Sequence, residues 1–289
     1  MTIRAVKQIL QSRPSTDGDG VRIQRTVGQQ RHDMDPFLML DEIRSEDSAD
    51  YVGGFPPHPH RGIETLTYML AGGFVHEDSM GHREELRDGG AQWMSAARGV
   101  IHSELPLIHE GLLHGFQLWI NLPAKQKMNP AQYKQATREE LPEVTLANGT
   151  HLRAFGGSWV VDGHTLNSPL ENFAANARAL DITLPASTSL SVDVNKQETV
   201  LAYVFDGAMT TGDNTLGNTT LVKRQQMARY NNGTQVVLQA DDVKTRILLL
   251  SGTPLGEPIV QYGPFVMNTE EEIQQAIDDY RNNRLVSKN

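Results

Sequence analysis

The sequence predicts an all-β protein of two tandem β-barrels with one C-terminal α-helix. Three observations predict it. Short alternating or apolar runs are separated by turn signals about every ten residues, the spacing of a sandwich or barrel. The 25 glycines and 14 prolines are spread along the chain, as many tight turns require. A stretch of the first half, Glu64-Thr65-Leu66-Thr67-Tyr68, has a counterpart in the second, Glu198-Thr199-Val200-Leu201-Ala202-Tyr203, each closed by a glycine (Gly72, Gly207).

In chain order, residues 3–30 read as strands around the turn Ser15-Thr16-Asp17-Gly18-Asp19-Gly20, with Val21 to Val27 alternating as a half-buried strand. Met34 to Leu40 is apolar and buried, and Asp41 and Glu42 end it where the strand meets solvent. Thr65 to Leu70, Phe74 to Ser79, Glu84 to Arg87, Ala91 to Ser95 and Leu112 to Leu122 follow as strands. Pro123, Pro130 and Pro142 punctuate a polar stretch that reads as a linker, with a short helix near Ala131–Gln135. Six further strands run from Leu180 to Leu250. Thr269 and Glu272 make a capping box, and Ile273, Ala276, Ile277 and Tyr280 give the following helix an apolar stripe. The expected domains are 1–123, a linker over 124–145, and 146–289 with the helix packed on its barrel.

Composition narrows the function. The chain of 289 residues can bury a large core, and it has no cysteine, which excludes disulfides, thiolate zinc sites and iron–sulfur clusters. A net charge of −9 opposes direct nucleic-acid binding. There is no apolar leader at the N-terminus and no run of 18 apolar residues, so a cytoplasmic monomer without membrane association is expected.

The chemistry concentrates in Gly53-Gly54-Phe55-Pro56-Pro57-His58-Pro59-His60-Arg61-Gly62. Residues i and i+2 of a strand share a face, so His58 and His60 can reach one metal ion. His102 and Glu104 repeat that spacing with a carboxylate, and together the four offer three nitrogens and one oxygen. Glu64, four residues after His60, is an alternative ligand or a partner of a ligand histidine. His76, Asp78 and Ser79 read as hairpin or rim residues, His82 as an exposed turn, and His109 and His114 as surface. Eight of the ten histidines lie at or before residue 114. Aligning Glu198 with Glu64 sets Val192 and Val194 on His58 and His60, which predicts a metal in the first barrel and none in the second.

At this point the chain resembles the pirin family of the cupin superfamily. The resemblance is carried by Phe55 to Glu64, His76-Glu77-Asp78-Ser79-Met80-Gly81, Gln92-Trp93-Met94, Gly99 to Glu104, Gln117 to Pro123 and Glu257 to Thr269. It implies two cupin (jelly-roll-like) barrels and one divalent transition metal, Fe(II) foremost among Mn, Co, Ni, Cu and Zn, on His58, His60, His102 and Glu104. One departure is Ala97, where many relatives carry glycine. The resemblance further implies a quercetin 2,3-dioxygenase-like oxidoreductase. It opens the heterocycle of a flavonol with O2 and releases carbon monoxide, with Glu104 as the base and Met69, Trp93 and Phe116 as pocket walls. The alternative it implies is an iron-binding, redox-responsive regulator that acts through a protein partner.

Overall fold

The computed structural model describes residues 2–28, 32–213 and 216–286. In chain order the strands are β1 (Val6–Gln11), β2 (Arg13–Asp17), β3 (Val21–Thr26), β4 (Phe37–Ser45), β5 (Phe55–His60), β6 (Ile63–Ala71), β7 (Gly73–Asp78), β8 (Arg83–Arg87), β9 (Ala91–Ser95), β10 (Val100–Pro106), β11 (Leu113–Asn121) and β12 (Gln132–Ala136). They continue as β13 (Glu143–Thr145), β14 (His151–Gly156), β15 (Ser158–Val161), β16 (His164–Asn167), β17 (Arg178–Leu184), β18 (Ser189–Asp193), β19 (Thr199–Asp206), β20 (Ala208–Asp213), β21 (Asn218–Lys223), β22 (Gln226–Tyr230), β23 (Gln235–Ala240) and β24 (Thr245–Gly252). A hairpin, β25 (Val260–Tyr262) and β26 (Phe265–Met267), leads into helix α1 (Glu270–Arg281).

These elements build two cupin barrels, each from a seven-stranded and a four-stranded sheet. Barrel 1 has the orders β12-β9-β6-β11-β4-β3-β2 and β5-β10-β7-β8; barrel 2 has β1-β22-β19-β24-β17-β14-β13 and β18-β23-β20-β21. Read position by position, the orders match: β5 stands where β18 stands, β6 where β19 stands, β10 where β23 stands.

The partition of the chain differs from the expected one. Barrel 1 takes Arg13–Arg25, Phe37–Glu139 and Leu255–Asn289, and barrel 2 takes Met1–Ser12, Thr26–Pro36 and Glu140–Pro254. The 1–123, 124–145 and 146–289 boundaries are corrected at three points. First, β1 pairs with β22 of barrel 2, filling the place that β12 fills in barrel 1. Second, residues 124–145 are not a linker, because β12 pairs with β9 and β13 with β14. The helix expected near Ala131–Gln135 is therefore a strand. Gln132 and Lys134 are exposed while Tyr133 and Gln135 are half-buried, a period of two, and β9 offers an edge to pair with. Third, α1 packs on barrel 1, with Ile273 and Ala276 against Phe265, Met267 and Ile101. Its capping box, Thr269 with Glu272, is the one read from the sequence.

The tail is tied to the strand that carries the paired histidines. Gly62 has φ +83°, and a Cβ there would lie 1.9 Å from the Val266 carbonyl oxygen. Lys127, fully buried, donates from Nζ to the carbonyls of Gly62 (2.7 Å) and Val266 (2.9 Å) and to Asn121 Oδ1 (2.7 Å).

The interiors of the two barrels differ. In barrel 1, Ile23, Ile43, Met69 and Phe74 belong to an apolar cluster at one end. Two residues along each of those strands, on the same face, stand Arg25, Asp41, Thr67 and His76. Barrel 2 has no such step: Leu180, Ile182, Val192, Val194, Ala202, Val204, Val236 and Leu238 form one buried apolar cluster. Among the described residues no helix is long and apolar enough to cross a membrane.

Candidate metal centre

Three histidines converge from two strands. His58 and His60 lie on β5 and His102 on β10, and the antiparallel register sets His58 opposite His102. The ring centroids are 4.9 Å (His58–His60), 4.4 Å (His58–His102) and 5.0 Å (His60–His102) apart. One nitrogen from each lies within 4.8 Å of the others. A second group meeting the same limit is His76, His102 and Glu104.

Unmade hydrogen bonds separate the two groups. Nε2 of His102 is buried without a partner, and of the two buried ring nitrogens of His60 the Pro264 carbonyl approaches only one. Leaving such groups unsatisfied costs about 1–3 kcal/mol each, so an absent ligand is implied. His58 Nδ1 meets the Pro56 carbonyl at 2.8 Å, which turns its Nε2 toward the other rings. In the second group the carboxylate and His76 are satisfied by protein alone. Glu104 accepts from Thr67 Oγ1 (3.3 Å) and Gln117 Nε2 (2.8 Å). His76 Nδ1 meets Gln92 Nε2 (2.8 Å), and its Nε2 meets Asp78 Oδ2 (3.1 Å). The three histidines are thus the core of a donor set, and Glu104, oriented beside them by Thr67 and Gln117, keeps a lone pair on each oxygen for a fourth bond.

Burial keeps the imidazoles of His60 and His102 neutral, the form a metal requires. It pushes His60 down to about 3, and the neighbouring His58 adds to the effect, against a hydrogen bond to the Pro264 carbonyl and the charge of Asp17. His102 lies well below its ordinary value because of burial, then His60, His58 and His76.

Outward from the histidines the site is layered. His102 Nδ1 approaches His76 Nδ1 at 3.4 Å. Asp78, fully buried, accepts from His76, from His82 Nδ1 (2.9 Å) and from the backbone N–H groups of Met80 (2.8 Å) and His82 (3.1 Å). Burial alone would raise this carboxyl, but those hydrogen bonds bring it down to about 2. Tyr133 stacks on both His76 and His82, at 4.7 and 4.6 Å.

A cavity of about 700 Å³ opens from His58 and His60 within barrel 1. Met39, Phe55, Pro56, Trp119 and Pro264 give it apolar walls, and Asp17, Asp19, Arg25, Asp41 and Gln117 line the rest. The Trp119 ring meets His60 edge-on at 5.1 Å.

Several expectations change. Met69, Trp93 and Phe116 are buried outside this cavity, and Met39, Phe55 and Trp119 stand in the role expected of them. His76 is fully buried behind the site, not at a rim; its parity with Phe74 on β7 was the signal that it faces inward. His114 is buried against Glu42 at 2.9 Å rather than at the surface, and Asp41 and Glu42 lie in the middle of β4. His82 is partly exposed but packed, with 38% of its side chain accessible. Glu64 does not share a strand with His60, because the chain turns at Gly62. On β6 it lies three residues from the inward Thr67, hence on the other face.

Comparison with known proteins gives the family and the fold. The Pirin family profile matches residues 20–120 and the Pirin C-terminal cupin domain profile residues 179–286. A Vibrio cholerae protein named "Putative quercetin 2,3-dioxygenase" is 47% identical over 277 residues, 96% of each chain. The crystal structure of an Acinetobacter baumannii quercetin 2,3-dioxygenase superposes with a TM-score of 0.87 at 30% identity, covering 99% of both chains. A bacterial pirin from Escherichia coli, solved in complex with nickel(II), shares the fold at 20% identity with a TM-score of 0.63, over 86% of this chain and all of its own.

Proposed function

This chain belongs to the pirin family, and we propose that it is a quercetin 2,3-dioxygenase-like oxidoreductase that opens the heterocycle of a flavonol with O2 and releases carbon monoxide. The observation that carries the reading is the cluster of His58, His60 and His102, with His102 Nε2 buried and unpartnered, beside a cavity of about 700 Å³ that His58 and His60 line.

His58, His60 and His102 would hold one divalent ion, with Glu104 as the fourth ligand. Three imidazoles and a carboxylate suit Fe(II), Mn, Co, Ni, Cu or Zn by donor chemistry, and the family resemblance puts Fe(II) first. Such an ion supplies Lewis acidity toward the flavonol 3-hydroxyl and a redox partner for dioxygen.

The protein's own groups do the rest. Glu104 takes the proton of the 3-hydroxyl, and a carboxylate two residues from His102 stays within reach of it. Thr67 and Gln117 fix both Glu104 oxygens, so the base is oriented before substrate arrives. Gln117 also lines the cavity, beside the Glu104 oxygen it holds. Met39, Phe55, Trp119 and Pro264 exclude water from the flavonol rings. The volume lies within the range of small-molecule sites, about 300–1,000 Å³.

The test is oxygen uptake and carbon monoxide release with quercetin, for wild type, His58→Ala and Glu104→Ala, with metal content measured on each. Turnover should be lost in both variants, with metal lost in His58→Ala. Full metal occupancy without turnover in the wild type would remove the enzyme reading.

A further inference from the structure

We propose that Asp78, acting through His76, fixes the tautomer of His102 and so aims the His102 Nε2 lone pair at the metal position. Both are positioning residues. The inference rests on the three histidines holding a metal, and it adds what orients one of them.

The contacts run inward from the surface of barrel 1. His82, with 38% of its side chain accessible, brings Nδ1 to 2.9 Å from Asp78 Oδ2. His76 Nε2 lies 3.1 Å from the same oxygen. The other oxygen, Oδ1, accepts the backbone N–H groups of Met80 and His82 at 2.8 and 3.1 Å. On the far side of its ring, His76 Nδ1 lies 3.4 Å from His102 Nδ1. The remaining nitrogen of His102, Nε2, is the buried one without a partner. Tyr133 stacks on His76 and His82 at interplanar angles of 24° and 23°, which holds both rings against rotation.

The protons along this series can be placed one at a time. A carboxylate only accepts, so His76 Nε2 carries a proton and donates it to Asp78. The Gln92 amide nitrogen only donates, and it points at His76 Nδ1 from 2.8 Å, so that nitrogen carries a lone pair. A lone pair there calls for a proton on His102 Nδ1, because the opposite tautomer would set two lone pairs against each other. A neutral imidazole has one N–H, which leaves His102 Nε2 bare, as a metal requires. Ligand histidines commonly give their other N–H to a carboxylate or a carbonyl. His58 does so with the Pro56 carbonyl, whereas His102 reaches its carboxylate through a second histidine.

Asp78→Asn reverses the series. The new amide oxygen can keep the two backbone N–H groups, which turns the amide N–H toward His76. His76 then accepts at Nε2 and carries its proton on Nδ1, where Gln92 Oε1, buried without a partner, can turn to accept it. His102 is left to accept at Nδ1 and to carry its proton on Nε2, the tautomer that cannot bind a metal there.

The experiment is nitrogen–proton NMR of the histidine rings in the metal-free protein at neutral pH, with Ni(II) affinity measured by chelator competition. Wild type should show His76 protonated on Nε2 and His102 on Nδ1. Asp78→Asn should reverse both and weaken Ni(II) binding about 10–100-fold. His76→Phe keeps a ring for Tyr133 but no acceptor, and should lose as much affinity. His76→Asn, whose Oδ1 can replace Nδ1 as the acceptor, should recover most of it. A wild-type His102 protonated on Nε2 overturns the proposal, and that spectrum needs no variant, so the test survives if Asp78→Asn does not fold. Tautomers unmoved in folded Asp78→Asn, or reversed tautomers with unchanged Ni(II) affinity, also overturn it. The expected tautomers in a wild type that binds no Ni(II) support the tautomer control and remove the metal assignment it serves.

Discussion

The two barrels share a strand order but carry opposite interiors, and the pairing registers show residue by residue where they diverge. Val192 pairs with Val236 as His58 pairs with His102. Leu238 pairs with Thr211 as Glu104 pairs with His76. The proposed donor set His58, His60, His102 and Glu104 thus maps onto Val192, Val194, Val236 and Leu238. The facing sheet repeats the contrast. One row of barrel 1 runs Gln92, Thr67, Gln117, Asp41 across β9, β6, β11 and β4. A row of barrel 2 runs Ala228, Ala202, Leu249, Leu180 across β22, β19, β24 and β17. The fold closes with either lining. Barrel 1 gives up buried apolar contact for polar groups, many of which bond one another.

The largest expected effect comes from giving barrel 1 the barrel 2 residue. His102→Val should abolish metal binding and lower turnover on the order of 10³-fold, the scale of losing several kcal/mol of transition-state stabilisation. In metal-free protein the same change should raise the melting temperature, because it removes a buried Nε2 without a partner. Elemental analysis, oxygen uptake and calorimetry check the three outcomes. A lowered melting temperature would mean that His102 is satisfied without metal. The reverse change, Val236→His, should destabilise barrel 2 by about 3 kcal/mol, since it buries an imidazole among Val192, Val194 and Leu238. It should recruit no metal, as measured by equilibrium dialysis.

How much of this contrast the sequence displays depends on the range of the contacts. His58 and His60 are legible because alternation within one strand fixes their common face. The valines opposite them in the repeat are legible for the same reason. The Glu64–Glu198 match is out of phase by one: Thr67 faces inward on β6, while Val200 and Ala202 face inward on β19. A one-residue difference in a turn inverts the faces, and local pattern cannot reveal it. His76 and Arg25 belong to the site through sheet pairing and side-chain reach, and Lys127 reaches Gly62 and Val266 from the segment read as a linker. The crossing of β1 into barrel 2 leaves no local mark, because an edge strand looks alike whichever sheet it joins.

The acid response of barrel 1 should sharpen the comparison next. His76 maps onto Thr211, whose hydroxyl bonds the Tyr230 hydroxyl at 2.8 Å, so the His76–Asp78 pair has no charged counterpart there. The Asp78 carboxyl is held at about 2, below its ordinary 3.8. A depressed carboxyl contributes stability that is complete above the unfolded value and lost as pH falls through the folded value. The stability difference between wild type and Asp78→Asn should therefore shrink by about 2 kcal/mol between about pH 4 and about pH 2, in denaturant titrations. A constant difference would show that the hydrogen bonds around Asp78 do not depend on its charge.

Gln117→Leu, which imports the barrel 2 residue at that row, should act on the base and spare the metal. It frees one Glu104 oxygen and empties one polar position of the cavity. Metal content should stay at the wild-type value while the turnover number falls about tenfold, the scale of one hydrogen bond to a charged group. Loss of metal in this variant would show that Gln117 supports the histidine set rather than Glu104 alone.

The smallest effect lies in the turn between β9 and β10. Barrel 1 spells it Ala96-Ala97-Arg98-Gly99, and barrel 2 spells the matching turn between β22 and β23 Asn231-Asn232-Gly233-Thr234. Ala97 has φ +39°, in the left-handed region that disfavours any residue with a Cβ, whereas Asn232 shows no positive φ. The strain is held by its surroundings: the Ala97 carbonyl accepts the Gly62 N–H at 2.7 Å, and the Ala96 N–H donates to Ile63 at 2.9 Å. Both bonds fix the turn against the junction that follows His60. Glycine would relieve about 1–2 kcal/mol of conformational strain. It would return about 0.5–1 kcal/mol through the freer unfolded chain. Ala97→Gly should therefore stabilise barrel 1 by up to about 1 kcal/mol without changing metal affinity, as measured by denaturant titration and chelator competition. A loss of stability would mean that the Ala97 methyl packs better than its backbone angle costs.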